Sequence, residues 1–258
     1  MFISSFIIIL GLIVGSFLNV CVARVINAKD NILRSSKCPK CKQPIRWFDN
    51  IPLVSFLILA GKCRSCNKKI SYIYPIVELL CAITFFYCYH NYNLSIALVL
   101  SLIFFSTLLV IFFTDFNYFL IFDVTSIPLI IIGLIASFLK INPFHSLIID
   151  SVFGTIVGYG VIYLIRLIYF KIKKIEGMGL GDAKLLAAIG AWYGFKSILF
   201  ILLFSSILGS VYGLSYIYFR NKKKNIKLAY GCFIVLAAFL YPIYGDIFSN
   251  FLNHPLIF

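Results

Sequence analysis

The chain has 258 residues, 62% of them hydrophobic and only 12% charged, with 23 Lys and Arg against nine Asp and Glu. Soluble domains carry about 25% charged residues, so this composition excludes an ordinary soluble protein and indicates an all-α polytopic membrane protein. The net charge of +14 does not point to nucleic acid, because 20 of the 23 basic residues fall in three loops, 24–71, 171–184 and 220–227, which the positive-inside rule assigns to the cytoplasm.

Residues 1–23 are apolar and long enough to cross a bilayer. They lack the basic start and small-residue cleavage site of a signal peptide, so they read as a first transmembrane helix with its N-terminus outside. Gly15 and Ser16 suit close helix packing, and Asn19 is expected to face protein. Residues 24–71 form the one long polar insert. Cys38-Pro39-Lys40-Cys41 and Cys63-Arg64-Ser65-Cys66 are separated by 21 residues. Two C-x2-C knuckles at such a spacing predict a tetrahedral, structural Zn²⁺ site, since cytoplasmic thiols stay reduced. The other cysteines, Cys21, Cys81, Cys88 and Cys232, read as small core residues. Between the knuckles, Ile51–Ala60 is too short to span; it is expected to lie in the interface or pack on the bundle, with Trp47 as a headgroup anchor.

The second span, Tyr72–Tyr89, contains Glu78. Unpaired charge is costly at membrane depth, so Glu78 is expected to pair with a basic group of the loop or with Arg166. His90 follows in an outer turn. The third span, Leu94–Thr114, ends at Asp115, where the helix macrodipole disfavours an anion; no stability rationale is evident for that placement. Asp123 precedes the fourth span, Val124–Leu139, and reads as a helix cap. His145 lies in the next outer turn. The fifth span, Leu147–Phe170, offers Gly154, Gly158 and Gly160 as a packing face, with Arg166 snorkelling near its inner end. The basic segments before residue 182 and after residue 220 share a side, and Ser197–Phe219 is a full span. Either residues 183–196 reach the outer side or Ser197–Phe219 folds back on itself; a short, tilted or thinned crossing at 183–196 is the preferred reading. Leu228–Ile247 is the last span. The count is eight crossings with both termini outside, and His254 falls in the outer tail.

Gly177-Met178-Gly179-Leu180-Gly181-Asp182-Ala183-Lys184 delivers one carboxylate to the start of an apolar helix. Asp182 has a bland reading as a helix cap. The topology, however, brings it to the same side and depth as Asp115, 67 positions away. Two neighbouring carboxylates share a proton. One then serves as base toward water and the other as acid toward a carbonyl, the chemistry of aspartic proteases. No Ser, Cys or His nucleophile set competes. Gly179 and Gly181 would admit an extended substrate beside Asp182, and Lys184 would support the loop.

These motifs, in this order, resemble the type IV prepilin peptidases, the bacterial GxGD aspartic membrane proteases. The resemblance rests on Gly15-Ser16-Phe17-Leu18-Asn19-Val20, the two cysteine knuckles, Ile45-Arg46-Trp47-Phe48-Asp49-Asn50-Ile51-Pro52, and Ile70-Ser71-Tyr72 through Tyr74-Pro75-Ile76-Val77-Glu78-Leu79-Leu80. The motifs at Asp115 and at Gly179-Leu180-Gly181-Asp182-Ala183-Lys184-Leu185 complete it. The chain departs from the family in having Phe122 before Asp123 instead of proline, and in lacking a proline after the arginine in 23–36. The resemblance implies a catalytic pair Asp115 and Asp182, with Asp123 and Glu78 secondary. It implies cleavage of prepilin or pseudopilin leaders after a glycine, at the cytoplasmic face of the bacterial cell membrane. It also implies N-methylation of the new N-terminus from S-adenosylmethionine. The expected layout is a transmembrane helix 1–23, a zinc loop 24–71 within an N-terminal region reaching about residue 90, and a peptidase core 94–247. The expected partners are prepilins and the lipid bilayer, with no nucleic acid. The rivals are a peptidase without methyltransferase activity, a transporter using Asp115, Asp182 and Glu78 as an ion path, and a membrane scaffold presenting the zinc loop.

Overall fold

The computed structural model of the chain describes residues 2–25, 37–174, 177–220 and 227–253. Most of the basic run 220–227, the segment 26–36 and His254 lie outside the described residues. Among the described residues the chain is helical, with two isolated β-bridges and no strand. The helices are α1 (Phe2–Val25), a 3-10 turn (Trp47–Asn50), α2 (Val54–Ile58), α3 (Ile73–Tyr92), α4 (Ile96–Tyr118), α5 (Asp123–Phe138), α6 (Ile148–Lys173), α7 (Leu180–Tyr193), α8 (Phe195–Arg220) and α9 (Tyr230–Asn253).

Six of these, α1, α3, α4, α6, α8 and α9, are long and apolar enough to cross a membrane. The two remaining expected crossings are also helices, but shorter: α5 has 16 residues and α7 has 14. The eight apolar runs of the sequence are thus eight separate helices. The expected limits shift at several of them; α9, for one, runs on to Asn253. Helix α4 continues through Asp115 to Tyr118, and α7 begins inside the glycine run.

The chain divides into two compact units, residues 1–110 and 111–258. In the first, α1 packs along α3. A methyl at Gly15 would lie 2.7 Å from the Glu78 Cα, so only a residue without a side chain fits that crossing. Asn19 is buried and donates to the Tyr74 carbonyl at 3.1 Å, so it faces protein as expected.

In the second unit α7 is the central helix, packed by α5, α6, α8 and α9. From Leu185 to Tyr193 every residue is buried, and Trp192 is fully enclosed. The closest contact is backbone on backbone. A methyl at Gly154 of α6 would lie 2.5 Å from the Gly190 carbonyl oxygen, and Gly190 meets Gly154 in return. A methyl at Gly158 would lie 2.7 Å from the Leu186 oxygen. Gly160, expected on the same face, has open space around it; it lies two residues from Gly158, which turns it off the α7 contact. The outer surfaces carry the apolar side chains a bilayer requires, for example Ile131 and Ile135 of α5, Phe153 and Ile156 of α6, and Val211 and Leu214 of α8.

The far end of α7 is tied down by polar contacts. Asn142 Nδ2 donates to the Trp192 carbonyl at 2.9 Å and to Ser137 Oγ at 2.8 Å. Trp192 Nε1 donates to the Leu129 carbonyl at 2.8 Å, and the Tyr193 hydroxyl to that of Ala238 at 3.0 Å. Burying these groups unpaired would cost free energy, so the network sets where α7 ends and hence where its first turn stands.

Candidate active site

Gly179 has extended backbone and starts α7; Asp182 is the third helical residue after it. Its Oδ2 accepts the Gly179 N–H at 3.2 Å. The capping geometry is therefore present, although through the N–H of the cap residue itself. An anion here is favoured by the positive end of the helix macrodipole. Gly181, expected to leave room for a substrate, is instead filled from the protein side: a methyl there would lie 2.8 Å from Ile121 Cβ. Gly179 is open, with only the α7 start nearby.

Asp115 is buried at 5% exposure, three residues before the end of α4. Its position, without rationale in α4 alone, is explained by another helix. Asp115 Oδ2 accepts the Cys232 N–H at 3.0 Å, and Cys232 is the third residue of α9. The carboxylate thus caps the N-terminus of α9, and that helix end offsets the unfavourable end of α4. Gly231 makes the approach possible: a methyl there would lie 2.8 Å from Asp115 Oδ2 and 2.7 Å from Ile121 Cδ1. Asp115 and Asp182 are within electrostatic reach of each other, and the Cys232 thiol interacts with both. Ile121 touches both Gly181 and Gly231, so one side chain packs against the first turns of the two helices that hold the carboxylates.

Asp123 is not the cap that its sequence position predicts. It is the first residue of α5, after Phe122, and no side chain caps that helix. The Asp123 carboxylate instead receives Lys184 Nζ at 2.6 Å, linking α5 to α7 two residues along from Asp182. Long-range attraction between charges outcompetes a local cap here. Glu78 is also differently placed from expectation. Among the described residues it takes no part in the ion pairs Arg64–Asp49 and Lys184–Asp123. Its Oε2 accepts the Leu53 N–H at 2.9 Å. A backbone amide donor stands where a basic side chain was expected.

The two cysteine knuckles are near copies. Lys42 N–H donates to the Cys38 carbonyl at 2.8 Å and Asn67 N–H to the Cys63 carbonyl at 2.9 Å. Lys42 and Asn67, each directly after the second cysteine, take positive φ of 58° and 53°. This turn brings the four sulfur atoms, those of Cys38, Cys41, Cys63 and Cys66, within 4.8 Å of one another. Tetrahedral Zn–S bonds of about 2.3 Å need sulfurs about 3.8 Å apart, so the donor set fits Zn²⁺ with small adjustment. The Cys41 N–H directed at Cys38 draws that thiol down to about 6, against the opposing effect of burial. Beside the knuckles, Arg64 forks onto Asp49 at 2.7 to 3.1 Å and holds that carboxyl below its usual range.

A family model described as the bacterial peptidase A24 N-terminal domain matches residues 9–92, and one described as the type IV leader peptidase family matches residues 102–214. The chain is 33% identical to a prepilin leader peptidase/N-methyltransferase of Pseudomonas aeruginosa, over 93% of this chain and 89% of that protein. The chain belongs to the type IV leader peptidase family. A protein of the same name from Neisseria gonorrhoeae is 36% identical over 79% of this chain and 78% of its own length. One from Myxococcus xanthus is 35% identical over 81% of this chain and 62% of its own length. No solved structure matches.

As a type IV leader peptidase the chain is a multi-pass membrane protein. Its site also includes residues that sequence reasoning missed. Cys232 was read as a small core residue and is one, at 4% exposure, but its amide is what Asp115 binds. The available signal was Gly231 at the very start of the last apolar run. Ile121 carried no signal, because nothing separates it from other apolar residues.

Proposed function

We propose that the chain cleaves the leader peptide of type IV prepilins or pseudopilins just after a glycine, and methylates the N-terminus so released. The family and the names of its relatives support this reading of the activity. The site is at the cytoplasmic face of the bacterial cytoplasmic membrane. The clustering of basic residues in three loops on that side supports this placement.

The observation that carries the mechanism is that two buried carboxylates each hold one oxygen on a helix N-terminal amide, at two helix starts that pack on the same Ile121 side chain. Oδ2 of Asp115 and Oδ2 of Asp182 are so anchored, and Oδ1 of each serves the reaction. One carboxylate is ionised and takes a proton from water. The hydroxide equivalent attacks the scissile carbonyl carbon, whose oxygen receives the proton of the other carboxyl. The tetrahedral intermediate collapses as the peptide nitrogen takes the proton that the first carboxyl received from water and leaves, while one hydroxyl of the intermediate returns a proton to the other carboxylate. Gly179 leaves room for an extended peptide beside Asp182. Lys184 and Asp123 hold α7 to α5 outside the reacting atoms.

Zn²⁺ at Cys38, Cys41, Cys63 and Cys66 supplies structure, because four thiolates leave no position for water. S-adenosylmethionine is the methyl donor the family implies.

The test is leader cleavage by an Asp182→Asn variant that still inserts in the membrane. Loss of cleavage supports the reading. Full activity would remove Asp182 from the mechanism.

A further inference from the structure

We propose that the segment 47–58 of the cysteine insert is an interfacial membrane anchor, seating the zinc loop on anionic lipid headgroups. The inference is independent of the reaction proposed above. The stretch begins at Trp47, which is 81% exposed, and runs into α2, where Leu57 and Ile58 are 75% and 74% exposed. Val54, Leu57 and Ile58 fall at helical spacing i, i+3, i+4 and form one bare apolar face. The opposite side of the same short helix is tied to the protein: Ser55 is buried and its hydroxyl donates to the Phe48 carbonyl at 2.8 Å.

Two contacts set the depth of this face. The Leu53 N–H, just before α2, binds Glu78 Oε2 at 2.9 Å. Glu78 is the sixth residue of α3, about 7.5 Å along the helix at 1.5 Å per residue. The Phe56 ring packs edge-on against Tyr72, next to the start of α3, at 5.7 Å between centroids. Helix α3 is long and apolar enough to cross the bilayer; in that crossing its first turns lie at the boundary, and α2 is moored to those turns. An apolar face moored there meets acyl chains and headgroups rather than bulk water. Trp favours that zone because its ring is amphipathic.

The charges around the face fit anionic lipid. Residues 37–71 hold eight Lys and Arg and a single acid, Asp49. Asp49 is occupied by the fork of Arg64. Of the remaining basic residues, Arg46 lies over the Phe48 ring at 5.8 Å; the lysines are left to meet headgroup phosphates, each contributing about 1 kcal/mol near an anionic surface. This gives Glu78 a role as a tether, since its carboxylate holds a surface segment at the right height.

The chain has two tryptophans, Trp47 and the fully buried Trp192. The experiment places full-length Trp192→Phe protein in nanodiscs containing phosphatidylglycerol and lipids brominated at shallow or deep acyl positions. Trp47 emission should be blue-shifted and mostly quenched by the shallow bromines, less by the deep ones. Leu57→Asp should weaken the quenching. Water-like emission with no quenching by either lipid would overturn the proposal. So would quenching that is absent until a prepilin peptide is added, which would make the face a substrate surface. If Trp192→Phe misfolds, the unchanged chain minus Trp47→Phe yields the same signal by difference.

Discussion

The carboxylate of Asp115 and the backbone N–H of Cys232, 117 positions apart, are joined by a 3.0 Å hydrogen bond. This bond makes the end of α4 and the start of α9 one electrostatic unit. Gly231 is the residue that permits it, since a methyl there would crowd both Asp115 and Ile121. Gly231→Ala should therefore shift the Asp115 carboxylate by a fraction of an ångström to an ångström. Misplacement on that scale costs about 10²-fold in rate. Leader cleavage by membrane-inserted Gly231→Ala protein should fall toward that level. Wild-type kinetics would show that the approach of α9 does not position Asp115.

Asp115→Asn and Asp182→Asn should each reduce cleavage by about 10⁴-fold, and the double variant should lose no more than either single one, because groups acting as a unit are not additive. Single-turnover cleavage of a prepilin peptide measures all three. Losses that multiply would mean that the two carboxylates act in separate steps.

The Lys184–Asp123 pair is partly exposed, with Asp123 at 58% and Lys184 at 26%. Exposed pairs contribute about 0–1 kcal/mol. Asp123→Asn should thus leave cleavage substantially intact and thermal stability nearly unchanged. Complete loss at Asp123 with activity retained at Asp115→Asn would reverse the assignment of the first aspartate.

Metal analysis of the purified chain should find about one zinc per molecule. Cys38→Ser or Cys66→Ser should lower zinc content and loop stability, read by limited proteolysis of residues 37–71, more than it lowers hydrolysis at the aspartates. Folded, active protein devoid of zinc would refute the site.

Where α6 meets α7, Gly154→Val would drive a side chain into the Gly190 carbonyl and should destabilise by about 1–3 kcal/mol, the usual cost of overpacking. Gly160→Ala on the same helix meets nothing within 4 Å and should be neutral or slightly stabilising. Thermal unfolding in detergent distinguishes the two. Equal effects would place the contact elsewhere on α6.

The features read correctly from sequence were those that repeat or cluster locally. Apolar runs located all eight principal helices, and C-x2-C spacing identified four cysteines whose sulfurs do converge. What sequence missed depends on partners far away. The cap expected at Asp123 yielded to Lys184, 61 positions on. The carboxylate of Asp115, unexplained on α4, is explained by an amide of α9. Gly160 resembled Gly154 and Gly158 because sequence shows small residues but not which way each one faces. The short run after Asp182 looked like a deficient span, whereas α7 is enclosed by α5, α6, α8 and α9 and has little need of lipid contact.

That enclosure has a consequence for polarity. A 14-residue helix is about 21 Å long, against about 30 Å for a hydrocarbon core. Its C-terminal end is held by Asn142 and Leu129, and α5, α6, α8 and α9 enclose it. A helix so short and so enclosed has protein rather than acyl chains around its first turn, so the polarity felt by the buried Asp182 is set by the chain's own amides and side chains.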